Sequence, residues 1–127
     1  MFEKLELTRM AQSLAAHAGS RVGILARNIA NADTPGFRAH DLPAFQTLVE
    51  GQTTALHVTR TGHIGASGNG AKFASEPSGG PLAPNGNDVS LDLQMQKAVE
   101  ARQSHEMALA IYRSTSSILK TSLGRNA

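Results

Sequence analysis

Ten residues of the C-terminal third, Leu91, Met95, Ala98, Arg102, His105, Leu109, Tyr112, Ser116, Leu119 and Leu123, follow one another at spacings that alternate four and three without a break. A period of 3.5 residues sustained over that length marks a supercoiling helix, about 50 Å long at 1.5 Å per residue. Arg102, His105 and Ser116 are the polar positions of this seam; they weaken it and can set register. A second track, Ala108, Ile111, Thr115, Ile118 and Ser122, repeats the spacing one position earlier, roughly 100° around the helix. Two apolar faces require two neighbours, and a hairpin within one chain supplies one of them, so the pattern points to lateral association with other chains. The plainer alternative is that Ala and Thr on this track are ordinary surface residues.

The N-terminal third carries a matching stripe at Leu7, Met10, Leu14, Ala18, Val22, Leu25, Ile29 and Ala32, spacings of a single helical face. A second row, Ala11, Ala15, Gly19 and Gly23, holds only small side chains. Each glycine inside a helix costs about 1 kcal/mol relative to alanine. Close approach of another backbone would account for that cost; a merely weak helix is the other reading. The helix ends in the stretch NIANADTPGF, residues 28–37. Pro35 pushes Thr34 out of the helical region, Asn31 or Asp33 is expected to take a left-handed cap, and Pro35-Gly36 suits a type II turn.

Between the helices, Leu56 and Val58 alternate with His57 and Thr59, predicting a short strand within residues 55–61. From Gly62 to Asp88 most residues are Gly, Pro, Ser or Asn. That composition predicts a loop ordered by a partner or flexible by itself, with a second short strand near Lys72 to Ala74. The reading is a mostly α chain of one domain, 1–127. Two long antiparallel, coiled-coil-like helices at 7–32 and 88–124 flank a short β-containing, loop-rich middle at 33–87.

Only 40% of the residues are hydrophobic, with four Phe, one Tyr and no Trp. A chain of 127 residues with so few large anchors has a marginal core when alone. Charge is uneven: five basic residues face three acidic ones up to position 40, two face five over 41–96, and five face two thereafter. The arginines are dispersed and stacking aromatics are scarce, which argues against a nucleic-acid surface. No cysteine is present, which excludes disulfides and thiolate chemistry. MFEKLELTRM carries Glu3 and Glu6 and no apolar run of seven, unlike a Sec signal peptide, and no segment approaches the roughly 20 apolar residues of a membrane span.

Chemistry is equally sparse. His17, His40, His57, His63 and His105 lie in different segments without HxxxH or HExxH spacing, so a metal site is not expected. GASGNG, residues 65–70, lacks the Lys-Ser/Thr of a phosphate loop, and no nucleophile elbow or supported catalytic triad appears. No catalytic, cofactor or metal residue is assigned, and the chain is read as a non-enzyme.

LARNIANADTPGFRAHDLPAF closely resembles the N-terminal signature of flagellar axial proteins, the rod, hook and filament-junction family, whose motif reads approximately ANNIANxxTPG followed by Tyr or Phe. Asn28, Ile29, Ala30, Asn31, Thr34, Pro35, Gly36 and Phe37 match it. The chain is most similar to the short proximal-rod members, because no room exists between Phe37 and Val89 for the inserted β domain of the longer ones. ALHVTRTGHI and PNGNDVSLDLQM extend the likeness across most of the length. Ser90, Ala101 and His105 depart from the common pattern.

The resemblance implies a structural subunit of the proximal rod of the bacterial flagellar basal body. It would be exported by the flagellar type III apparatus without signal cleavage and would lie in the periplasmic rod. Implied partners are other rod proteins, the basal-body ring, a FliE-type adaptor and the export gate, in homo- and hetero-oligomers. Phe45 to Val49 has the Phe-x-x-x-Φ spacing of gate recognition in exported axial subunits. The expected assembly interface comprises Leu14, Gly19, Val22, Gly23, Leu25, Ile29, Leu109, Tyr112, Leu119 and Leu123, with Gly19 and Gly23 permitting close approach. The alternatives are a soluble helical adaptor or export chaperone using the same stripes, or another short proximal-rod protein.

Overall fold

A computed structural model describes residues 2–52 and 73–124. The element order is α1 (Phe2–Ala30), β1 (His40–Asp41), α2 (Phe45–Gln52), β2 (Glu76–Pro77) and α3 (Leu91–Ser122). Glu3 and Asp92 stand in the first turns of the long helices and Arg27 and Lys120 in their last turns, each charge complementing the helix dipole. Ser90 enters α3 with an extended backbone, and its carbonyl receives the Gln94 N–H at 2.9 Å. Gly124, at φ 71°, closes the other end, as a left-handed C′ glycine does.

The two long helices run antiparallel. Asn28 of α1 bonds Gln94 of α3 at 3.0 Å, whereas a methyl group built on Gly19 would lie 3.8 Å from His105 Cδ2. Positions descend on one helix as they rise on the other. Between them lie two rows of buried residues, Ala11, Ala18 and Leu25 on α1 and Gln94, Ala101, Ala108 and Thr115 on α3. Members of each row are seven apart, so the pair is a heptad seam, built mainly from small residues.

This seam is not the row of α3 that the larger side chains suggest. Leu91, Met95 and Leu123 are 46%, 55% and 67% exposed, and the Arg102 side chain is 80% exposed. Ala98, His105, Tyr112 and Leu119 are half-buried at the seam's edge. The physical reason lies opposite them: Ala11 and Ala18 favour close helix approach, and Ala101 and Ala108 fit that gap where a methionine would not. The track from Ala108 to Thr115 therefore faces α1 within the chain.

β1 and β2 pair antiparallel, His40 with Pro77 and Asp41 with Glu76. They lie on one side of the helical layer, because β1 and its flanks meet α1 at His17, Arg21 and Asn28 and α3 at Lys97. Among the described residues nothing covers the opposite side. At roughly 100° per residue, Ala15, Gly19, Val22 and Gly23 of α1 lie there with Leu91, Met95, Arg102 and Leu109 of α3, around the Gly19–His105 approach.

The expected strand within 55–61, with His57, His63 and residues 65–70, lies outside the described residues. A short strand forms at Glu76–Pro77, two residues beyond Ala74; Phe73 and Ala74 are not part of it, and Lys72 lies outside the described residues. Phe45 to Gln52 is helical, an element the sequence reading did not single out. No described helix is long and apolar enough to cross a membrane.

Candidate functional site

The family-motif residues build a clamp at the end where the chain leaves α1 and enters α3. Asn28 is 1% exposed. Its Nδ2 donates to the His40 carbonyl at 2.7 Å and to Gln94 Oε1 at 3.0 Å, and its Oδ1 accepts the His40 N–H at 3.2 Å. One side chain thus satisfies both backbone groups of the first β1 residue and reaches across to α3. A buried amide is tolerated because its polar atoms find partners.

Beyond Ala30 the chain unwinds through tight turns. The Asn31 N–H donates to the Arg27 and Asn28 carbonyls, Ala32 N–H to Ile29, and Thr34 N–H to Asn31. No described residue other than glycine has positive φ, so neither Asn31 nor Asp33 forms the left-handed cap expected of them. The Asn31 side chain instead donates back to the Arg27 carbonyl at 2.8 Å and accepts from the Thr34 hydroxyl at 3.1 Å. The left-handed position is Gly36 at φ 73°, with Phe37 N–H donating to the Thr34 carbonyl at 3.3 Å. That is the arrangement a type II turn over Pro35-Gly36 requires.

A second turn, Asn85 to Asp88, locks against the first. Gly36 N–H donates to the Asn85 carbonyl at 3.0 Å. Gly86, at φ 80°, packs so that a methyl on it would sit 3.5 Å from Gly36 Cα. Asn87 is 3% exposed, and its Nδ2 lies 2.8–3.0 Å from the carbonyls of Asn31, Ala32 and Thr34 in the turns that follow α1. Its Oδ1 accepts the Val89 N–H at 2.7 Å. The buried Asp88 carboxylate accepts the Ala39 N–H at 2.6 Å and faces Arg38 at 3.5 Å.

A charged triad fixes β1 to both helices. Arg21 donates to both Asp41 oxygens at 2.8 and 3.0 Å, and Lys97 approaches Asp41 at 3.2 Å. Burial pushes the Asp41 carboxyl up, but the bonds from Arg21, the Leu42 N–H and Lys97 outweigh it and hold the group below its usual range. The hydrogen bond with Asp41 correspondingly raises Arg21. Further along α1, buried His17 lies 2.9 Å through Nε2 from the Pro43 carbonyl, between the rings of Phe45 and Phe73.

Of the motif, Asn28 is buried, Ile29, Asn31 and Phe37 are half-buried, and Ala30, Thr34, Pro35 and Gly36 are exposed. The other singled-out residues divide between two places. Leu14, Leu25 and Leu119 lie at or beside the intrachain seam, with Leu25 fully buried. Gly19, Val22, Gly23 and Leu109 lie on the uncovered side, where Ile29 and Tyr112 border it. Leu123 is exposed at the end of α3. Close approach among the described residues does not explain the glycines: there a methyl at Gly19 makes ordinary contact and one at Gly23 meets nothing within 4 Å.

Gln94, Asn87, Asp88 and the Arg21–Asp41–Lys97 triad were not singled out. The dense run of turn formers in PNGND directly before a helix was the available signal. Among the described residues no group of three His, Cys, Asp or Glu side chains could hold a metal ion.

Two terminal helices paired through a polar corner make a scaffold, and among the described residues no metal-ligand cluster gathers around it. A family profile described as "Flagella basal body rod protein" matches residues 9–38, from within α1 through the corner turn. The flagellar basal body rod protein FlgB of Agrobacterium fabrum is 26% identical over 118 residues, covering 88% of each chain. FlgB of Aeromonas hydrophila is 33% identical over 90 residues, covering 68% of this chain and 67% of that one. The chain belongs to the FlgB family of flagellar basal body rod proteins, a structural and not an enzymatic family.

Proposed function

We propose that this rod protein assembles through its terminal helices into the tubular proximal rod, packing the uncovered side of the hairpin against neighbouring subunits. One observation carries the reading. Among the described residues, Leu91 and Met95 of that side are 46% and 55% exposed and Val22 and Leu109 are only half-buried, while the buried apolar core holds only two residues larger than alanine, Leu25 and Leu42. An exposed apolar surface of that kind marks a contact surface. Leu14, Gly19, Val22, Gly23, Leu25, Ile29, Leu109, Tyr112, Leu119 and Leu123 remain the proposed assembly set, the buried members acting by holding the hairpin in shape.

The whole chain acts as a single axial domain. It lies in the periplasmic rod after export without signal cleavage, and its neighbours are other rod proteins, the basal-body ring, a FliE-type adaptor and, during export, the gate. Washing purified basal bodies with high salt tests this: a rod subunit stays with them, and a soluble adaptor or chaperone is released.

A further inference from the structure

We infer that copies of this chain join edge to edge, a basic notch on the α1 edge of one copy receiving an acidic, apolar strip on the α3 edge of the next. The inference rests on the rod-subunit reading and names the contact within it. The notch, about 360 Å³, is lined by Ile24, Arg27, Phe37, Arg38, His40 and Ser75 among others. Arg27 is exposed and makes no ion pair among the described residues, and the Arg38 side chain is 55% exposed despite facing Asp88.

The strip is Asp92, Met95 and Val99. Met95 and Val99 are 55% and 68% exposed, and Asp92 is exposed without an ion pair among the described residues. Asn28 pairs with Gln94, so Arg27 and Met95 stand at the same level of the hairpin. At roughly 100° per residue, Arg27 points away from α3, and Asp92 and Val99 point away from α1. Opposite charges, each beside apolar side chains, therefore stand at one height on opposite edges.

A chain cannot close such a pair on itself, but a second copy set alongside can. The contact is heterologous, since each copy offers a different edge to each neighbour, and repetition gives a ring or helix. The occupant of the notch is therefore a second copy's α3 edge, selected by charge complementarity.

Cysteines introduced as Arg27→Cys and Asp92→Cys test it, because the natural chain has none. A bifunctional thiol-reactive cross-linker applied to isolated basal bodies should give dimers and higher species from the double variant and none from either single variant. Dimers from a single variant, a link to a different protein, or monomer alone in basal bodies that retain the chain would overturn the contact while leaving the rod reading intact. Absence of wild-type chain from basal bodies would overturn both. In the charge exchange, Arg27→Asp should lose swimming and Asp92→Arg in the same chain should restore it; no restoration contradicts the pairing.

Discussion

Asn28 and Gln94, 66 positions apart, meet at 3.0 Å in the buried layer between the long helices. The same Asn28 amide holds both backbone groups of His40, so one side chain ties the exit of α1 to the entry of α3 and to β1. Asn28→Leu should destabilise the chain by about 2–4 kcal/mol, since Gln94 and His40 would keep buried polar groups without partners. Gln94→Leu should cost less, because His40 stays paired. Urea unfolding of both variants measures the order, and equal losses would show that the bonds to His40 carry little.

Asn87 provides a sharper substitution. Asn87→Asp changes almost no volume, yet it replaces an N–H donor aimed at three carbonyls with an oxygen. A carboxylate there faces the carbonyl end of α1, where the helix dipole also opposes negative charge. The loss should exceed the 1–3 kcal/mol typical of an unsatisfied buried group, and Asn87→Ala should be the milder change. Thermal melts of the two variants test that ranking.

The pH dependence follows from Asp41. Its carboxyl is held below the unfolded value of about 3.9 by Arg21, the Leu42 N–H and Lys97 against the opposing effect of burial. A depressed native value means that the stabilisation is present above the unfolded pKa and disappears as pH falls through the native one. Asp41→Asn should therefore be less stable than wild type at pH 6, and the gap should shrink below about pH 4. Denaturation midpoints across that range measure it; a constant gap would remove the ion triad from the account.

The two-helix architecture and the corner turn were legible because spacing and turn chemistry are local. Leu7 to Ala32 and Leu91 to Leu123 announce helices by period, and Pro35-Gly36 announces its turn by backbone preference. The seam was harder to place. Apolar size draws attention to Leu91, Met95 and Leu109, but Ala101 and Ala108 form the contact because a close helix pair selects small residues. The clamp was illegible for a different reason: Asn87 acts on carbonyls more than 50 positions away, and no local pattern records a partner at that distance.

The glycines separate folding from assembly. Among the described residues Gly19 is exposed with room for a methyl group, and a methyl on Gly23 would meet nothing within 4 Å. Gly19→Ala and Gly23→Ala should therefore each raise the stability of the isolated chain by up to about 1 kcal/mol through helix propensity. Gly36→Ala, at φ 73°, should lower it by about 1–2 kcal/mol because a Cβ is strained in that conformation. Circular-dichroism melts distinguish the signs.

The central claim is that the uncovered side of the hairpin belongs to neighbouring subunits. Its most direct measurement is the amount of Gly19→Leu chain retained in salt-washed basal bodies relative to wild type, with helicity of the purified variant as the folding control. The account predicts normal helicity with loss of the chain from basal bodies and loss of swimming. Normal helicity with wild-type retention and motility would contradict it.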